Sequence, residues 1–397
     1  DYYASRGLGD VYKRQVLIVD FCHMAHTYFH SRYRLSTKVV VNGEVMEKDT
    51  TVQNSCVKNI HKWSNGGVYP TAVCFDRPVP CRKAFWQRAF PEMEIGSGKE
   101  YKGNREKMPD AMYEAVVDCE NILRRAGVSC FSEKNYEADD LIFACIKRAK
   151  EKYPGIPIDI VTNDADLLPL VDDTVSIFLR SRKGTYAVDK ALEKAHYVQV
   201  TPENYQSVVE DLSAYKGFEM PYNTLLLHKL LRGDSSDQFH RKDISRVFPK
   251  SKYNDMIYRM IADNINFSEI FRYGSPTYTI TNKVTGEEFQ GTMEDALHSP
   301  DRKNLKMRMG NSEQLDAILE VLREYSPLTE EQLDIVKVVY LGMNLNQPYA
   351  NPDPLLRRFE YKVGNSEGND INPFDEIELQ KAVSPLGINL KLSLIHI

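Results

Sequence analysis

Three short stretches of this chain carry acids at close spacing. Glu137, Asp139 and Asp140 fall within four residues in NYEADDLIF, directly ahead of an apolar run. Asp164 and Asp166 lie in VTNDADLLPLV, and Asp234 and Asp237 in LRGDSSDQF. Each stretch alone has an ordinary explanation. Acids at a helix start offset the positive end of its dipole, at about 0.3–1 kcal/mol each. An Asp after a strand caps the next helix or turn. Two more acids, Asp20 and Asp76, close the apolar runs VLIVD and TAVCFD. Gathered on one rim, these nine carboxylates would repel one another strongly in a low-dielectric cleft. Hard divalent cations with oxygen ligands are the natural compensation. Two such ions about 4 Å apart clamp the attacking and leaving oxygens of a phosphoryl transfer. Metal-assisted hydrolysis of a phosphodiester is therefore the chemistry these residues suggest. No EF-hand loop pattern is present, which disfavours dedicated calcium binding.

The elements that must position these acids read as alternating strands and helices. VLIVD (16–20), TAVCFD (71–76), VSCF (128–131), IDIVTND (158–164) and VSIFLR (175–180) are the expected strands. Between them, residues 109–126 place Met112, Ala115, Val116, Cys119, Ile122 and Leu123 on one helix face, with Pro109 in the first turn and Gly127 at the stop. This order predicts an α/β fold with a parallel sheet covered on both faces, in which ligands bind beyond the carboxyl ends of the strands. Asp20, Asp76 and Asp164 all lie at such ends. On the helix after Tyr136, a step of about 100° per residue sets Glu137 and Asp140 about 60° apart, toward the ions. Asp139 falls a further 100° round and is expected to be the least direct ligand. Beyond residue 200 the chain turns mainly helical, over 224–232, 312–325 and 329–344, with a hairpin at 277–293 and a boundary near 240. Thr329 and Gln332 fit a capping box.

Composition bounds the function class. The chain has 397 residues, a formal net charge of −5, 42% hydrophobic residues and 27% charged ones, an ordinary globular balance. Seven scattered cysteines without a CxxC pair favour a reducing, cytoplasmic setting over a disulfide framework or a zinc site. No apolar run of about 18 residues is present, so no membrane span or membrane partner is expected. The ends read differently. DVYKRQ (10–15) and LSLIHI (392–397) are encodable by mutually reverse-complementary codons that resemble a transposon end used to prepare DNA libraries. Residues 1–15 and 392–397 are therefore expected to be translated adapter, outside the fold.

Between Arg77 and Lys107 lie eight basic residues, interrupted by four acids: Arg77, Arg82, Lys83, Arg88, Lys99, Lys102, Arg105 and Lys107. Phe85, Trp86, Phe90 and Tyr101 are interleaved with them. Cations track phosphates, and aromatic rings stack on unpaired bases. His23, His26 and His30 share a helix face, a pattern open to zinc but more typical of clustered polar histidines.

The order VLIVD, AVCFD, YKGNR, EADD, TNDAD, GDSSD resembles the metal-dependent 5′-nuclease family: flap endonucleases, the 5′-nuclease domain of bacterial DNA polymerase I, and phage 5′-exonucleases. LIVDF and FWQRAF look closest to its phage-type ribonuclease H branch. The resemblance covers about residues 16–240. It implies a PIN-like, Rossmann-like sheet with a helical arch at about 77–108, followed by a helical nucleic-acid-binding region over 241–391. Asp20, Asp76, Glu137, Asp139 and Asp140 would surround one Mg²⁺, and Asp164, Asp166, Asp234 and Asp237 a second, with Mn²⁺ as a substitute. Lys102 and Arg105 of YKGNR would reach the scissile phosphate, and Tyr28 is a weaker candidate for substrate contact. The substrates implied are DNA flaps and nicks, and RNA primers in RNA–DNA hybrids, in a bacterial or phage-infected cell. A monomer working beside replication proteins, such as a clamp or single-strand-binding protein, fits that setting. One departure stands out. After GDSSD the family usually continues with a Gly-rich hairpin that grips duplex phosphates, but this chain has no glycine from 238 to 255. Arg241, Lys242, Lys250 and Lys252 are the electrostatic replacements, and DRKNLKMRMG (301–310) is a second basic candidate.

Two alternatives stay open: a single-metal PIN-type ribonuclease, which needs fewer acids, and a catalytically silent nucleic-acid-binding protein on the same fold. A HAD-type phosphatase needs a DxD at its first strand, whereas Asp20 is followed by Phe21 and Cys22.

Overall fold

The structure is a computed structural model. It describes residues 15–41, 44–77, 80–91, 101–103, 106–133, 136–180, 197–234, 237, 242–274, 278–291, 299–309, 313–343, 345 and 371–390. Apart from Gln15, the adapter-like ends lie outside the described residues.

The first half alternates β1 (Val16–Asp20), α1 (Phe21–Phe29), a hairpin of β2 (Ser36–Val41) and β3 (Glu44–Asp49), α2 (Thr51–Trp63), β4 (Thr71–Cys74), α3 (Pro80–Ala89), α4 (Asp110–Arg125), β5 (Ser129–Phe131), α5 (Ala138–Lys152), β6 (Ile158–Thr162), β7 (Val175–Arg180) and β8 (Tyr197–Val200). Six strands form one sheet in the order β5-β4-β1-β6-β7-β8. All pairs are parallel except β7 with β8. β1 explains why its sequence is a continuous apolar run. Val16 and Ile18 point into one core cluster and Leu17 and Val19 into the other, so both faces of the strand are covered. α4 fills one side with the six residues expected from its spacing. α5 fills the other with Leu141, Ile142, Cys145 and Ala149.

β1 lies between β4 and β6, so successive connections leave it in opposite directions. Such a switch point opens a crevice at the carboxyl ends of the strands. Asp20 sits in register with Cys74, and Val19 with Val161. The loops that carry Asp76 and Asp164 therefore leave the sheet beside Asp20. β8 and the β2–β3 hairpin were not anticipated. β3 is exposed along its whole length, so it carries no buried face for a hydrophobic period to record.

The second half adds α6 (Tyr205–Asp211), α7 (Leu225–Arg232), α8 (Lys250–Ala262), β9 (Tyr278–Asn282), β10 (Glu288–Gly291), β11 (Leu305–Met309), α9 (Glu313–Tyr325), α10 (Glu330–Met343) and α11 (Glu376–Val383). The expected hairpin is β9–β10, and within the basic stretch 301–310 the residues Leu305–Met309 form its third strand, paired with β9. Thr329 and Gln332 form the expected capping box, each backbone N–H donating to the other's side chain. The core that backs α5 continues through Leu230, Met256, Leu322 and Tyr340. Residues 371–390 return to the first half: Asn372 bridges to Thr71, and Glu376 pairs with His61 at 3.1 Å. Among the described residues, no helix is long and apolar enough to cross a membrane.

α10 approaches α3 closely at one point. A Cβ at Gly342 would stand 2.4 Å from the Trp86 ring and 2.9 Å from Phe85. Gly342→Ala must displace a fully buried indole, so it should destabilise the protein by about 1–3 kcal/mol. Urea unfolding of the two proteins, at unchanged m, measures this.

Candidate active site

Each acid is held by a recognisable local device. Asp20 ends β1 and is buried, with Oδ2 accepting from Thr162 Oγ1 at 2.7 Å. Asp76 Oδ1 accepts from the Ala138 N–H at 2.8 Å and so ties the β4 end to the start of α5. Asp164 caps the short 3₁₀ turn Ala165–Leu170 by accepting from the Asp166 N–H at 2.8 Å. Asp234 follows Gly233, whose φ of 79° ends α7 abruptly, and its Oδ1 accepts from the Asp237 N–H at 3.3 Å.

The acids group differently from the expected five and four. Glu137 and Asp140 form a capping box at the start of α5, and both accept from Arg82, whose side chain is only 4% exposed. Burial nevertheless pushes the Asp140 carboxyl up to about 6, against the opposing pull of Arg82. Lys229 is equally buried and bridges Asp166 and Asp234. Asp237 lies near Lys102, and Asp20, Asp76, Asp139 and Asp164 form the last group. Burial raises Asp20 to about 6, offset by His23 and reinforced by Asp76 and Asp164. Asp139 is pushed well above the carboxylate range by burial, then by Asp164 and Asp20. Asp139 thus feels the strand-end acids. Glu137 is the cap of α5, with extended backbone at φ −81° and ψ 163°, and it turns with Asp140 toward Arg82.

The basic stretch is also corrected. Trp86, Phe90 and Tyr101 are at most 8% exposed. They stack on one another, with Trp86 5.9 Å from Phe90 and 5.7 Å from Tyr101. Trp86 and Tyr101 therefore do not present faces to unpaired bases. Arg82 serves the acids rather than solvent, and Arg77 pairs with Glu120. Lys83 is half-buried on α3. Lys102 does reach the site. It donates to Glu137, lies 3.8 Å from Asp237 Oδ2, and its backbone N–H donates to the Asp237 carbonyl at 3.1 Å. Lys99, Arg105 and Arg241 lie outside the described residues, as do the side chains of Arg88 and Lys242. Tyr28 accepts from the Asn59 amide.

Three site residues were missed. Lys229 had a signal: it is a charge inside the apolar run LLLHKLLR, five residues before Asp234. Thr162 and Tyr273 had none. Tyr273 lines the cleft with Asp139, Asp166 and Lys229, and its hydroxyl donates to the Asp166 carbonyl at 3.3 Å. Tyr340 of α10 clasps the backbone on either side of it, donating to Arg272 O at 3.1 Å and accepting from Gly274 N at 3.0 Å.

The donor set fits a hard cation in kind. It is all carboxylate, mutually repelling, and includes a buried oxygen, Asp20 Oδ1, with no hydrogen-bond partner. It is not a ready-made cage. Among the described residues, no three His, Cys, Asp or Glu side chains are gathered in a geometry that could hold a metal ion. Arg82, Lys102 and Lys229 stand among the acids instead.

Residues 15–197 match the family described as 5′-3′ exonuclease, N-terminal resolvase-like domain. Over this region the chain is similar to the 5′-nuclease family. The 5′-3′ exonuclease of Buchnera aphidicola subsp. Schizaphis graminum is 26% identical over 183 residues, covering 46% of this chain and 57% of that protein. DNA polymerase I of Mycobacterium bovis is 32% identical over 138 residues, covering 34% of this chain and 14% of the polymerase. The chain thus spans little more than half of the first relative and a small part of the second. The flap endonuclease of bacteriophage T5, solved with DNA and metal ions, superposes loosely over 94% of this chain and 100% of that one, at a TM-score of 0.44 and 12% identity. The matched region carries all the acids except Asp234 and Asp237, which lie beyond residue 197.

Arg82 pairs directly with both Glu137 and Asp140. Arg82→Ala leaves two buried carboxylates without it and should cost roughly 3–5 kcal/mol of stability in EDTA. Chemical denaturation of the metal-free protein checks this.

Proposed function

We propose that this chain is a divalent-metal-dependent 5′-nuclease. It hydrolyses phosphodiester bonds near the 5′ ends of DNA at flaps and nicks, with RNA primers in RNA–DNA hybrids as a further substrate class. The observation that carries this reading is the placement of Asp20, Asp76 and Asp164 at adjacent strand ends, with Asp139 of α5 beside them, in a region similar to the 5′-nuclease family. Residues 16–240 form the catalytic part, with an arch at about 77–108, and residues 241–391 add nucleic-acid-binding surface. Two Mg²⁺ or Mn²⁺ ions are the proposed cofactors. A free 5′ end is the proposed partner, and the cytoplasm of a bacterial or phage-infected cell the proposed setting.

Bound divalent ions would supply Lewis acidity toward the phosphate and a water of lowered pKa, so no separate general base is needed. The chain's own residues do the rest. Asp20, Asp139 and Asp164 would hold one ion, with Asp76 fixing the start of α5 beside them. Asp166, Asp234 and Asp237 would hold the other. Lys102, steered by Glu137 and Asp237, offers its ammonium to charge that builds on the phosphate.

A silent nucleic-acid-binding protein is the second reading. It is favoured by the ion pairs of Arg82 and Lys229, which neutralise acids without any metal. A 5′-labelled flap substrate separates the two. The first reading expects cleavage with Mg²⁺, none with EDTA, and a loss of at least roughly 100-fold in Asp164→Asn, as removing a metal ligand should exceed the cost of an outer-sphere change. Binding without cleavage in any divalent metal favours the second.

A further inference from the structure

Arg180 ends β7 at the carboxyl edge of the sheet and is exposed. Among the described residues it pairs with no carboxylate, and its guanidinium makes one hydrogen bond, from Nη1 to Thr27 Oγ1 at 2.7 Å. Thr27 is itself fixed. Its hydroxyl donates to the His23 carbonyl at 3.2 Å and accepts from Asn163 Nδ2 at 3.1 Å. A hydroxyl offers one proton and two lone pairs, so these three bonds use it fully. The guanidinium, with five N–H donors, has only one of them engaged there. Its place is set by the sheet. Leu179 pairs in register with Thr162, so Arg180 and Asn163 leave the sheet side by side, one residue before Asp164. α1, which holds Arg180, packs on one face of the sheet. α5, whose start holds Lys102 through Glu137, packs on the other. The strand-end acids thus lie between two cations that come from opposite faces.

We propose that Arg180 is a substrate contact that takes a phosphate of the cleaved strand on the α1 side of the acids, across the rim from Lys102. The proposal deepens the nuclease reading above and rests on it. A polyanionic strand that crosses a rim of carboxylates is repelled on either side of the scissile position. Lys102 offsets that repulsion on the α5 side. A guanidinium held in one orientation offsets it on the α1 side, because its planar fork matches two phosphate oxygens at once. A purely structural role leaves the charge unused, since a neutral amide would donate to Thr27 equally well.

The test is binding of a fluorescently labelled 5′-flap DNA to the full chain in EDTA, followed by anisotropy across a range of salt concentrations. Each phosphate contact adds about 0.7–0.9 to the slope of log affinity against log salt. Arg180→Gln should lower the slope by about that amount and weaken binding at the lowest salt by roughly tenfold, whereas Arg180→Lys keeps the slope. Lys150→Gln, in the last turn of α5, removes the same charge away from the rim and should leave the slope as it is. Circular dichroism establishes that the variants are folded. A slope unmoved by Arg180→Gln, or lowered equally by Lys150→Gln, overturns the role of Arg180. So does a wild-type chain that binds no flap. Cleavage of the same flap by the wild-type chain in Mg²⁺ is followed in parallel. Cleavage with an unmoved slope leaves the nuclease reading intact and sinks only the contact. A lowered slope without any cleavage keeps Arg180 as a phosphate contact and overturns the nuclease reading.

Discussion

The rest of the site depends on one electrostatic constraint. A sheet that ends several strands in acids must hold like charges close together in a partly buried crevice. Burial, reinforced by repulsion between the acids, then raises Asp20, Asp139, Asp140 and Asp166 above the ordinary carboxylate range. Such a crevice is tolerable only with positive charge inside it. The chain supplies part of that charge itself, through Arg82 and Lys229, both almost fully buried. Neither cation reaches the group formed by Asp20, Asp76, Asp139 and Asp164 in the pairings seen. That group is where added positive charge is most needed.

The fold serves this constraint at several levels. The parallel sheet brings the acids to one edge, and its switch point beside β1 opens the space between them. α5 turns its capping box toward Arg82, so one buried guanidinium stabilises both the helix start and the acid pair. α7 delivers Lys229 from within an apolar face. The helical half closes the cleft from behind: α10 seats its glycine on Trp86 and clasps Tyr273 against the Asp166 loop. A region outside the family match therefore shapes the crevice that the matched region builds.

Much of this was legible in the sequence because burial on two faces writes a clear pattern. The apolar runs of β1 and β6, and the helical face of α4, all appear where their spacing placed them. The acids at strand ends were legible for the same reason, since an Asp that closes a buried run has few places to go. What failed was side-chain direction. Asp139 was ranked below Glu137 and Asp140 because the sequence does not show that those two acids turn to Arg82. Trp86 and Tyr101 were read as solvent-facing because basic neighbours surround them, although large aromatics bury the most area in any core. Arg82 looked like a phosphate contact, because sequence does not reveal that a cation and two acids 55 and 58 residues away will meet. The exposed β2–β3 hairpin left no periodic trace at all.

The central claim is that the strand-end acids form a site completed by divalent cations. The most direct measurement is thermal unfolding of the full chain in EDTA and across a titration of Mg²⁺ and Mn²⁺. An ion that binds only the folded state stabilises it by about 2.7 kcal/mol at a hundredfold excess over its Kd. The account predicts a melting temperature that climbs with divalent concentration and loses that response when Asp20 and Asp164 are both replaced by Asn. Unfolding that is indifferent to divalent cations, or a response that survives the double replacement, would contradict it.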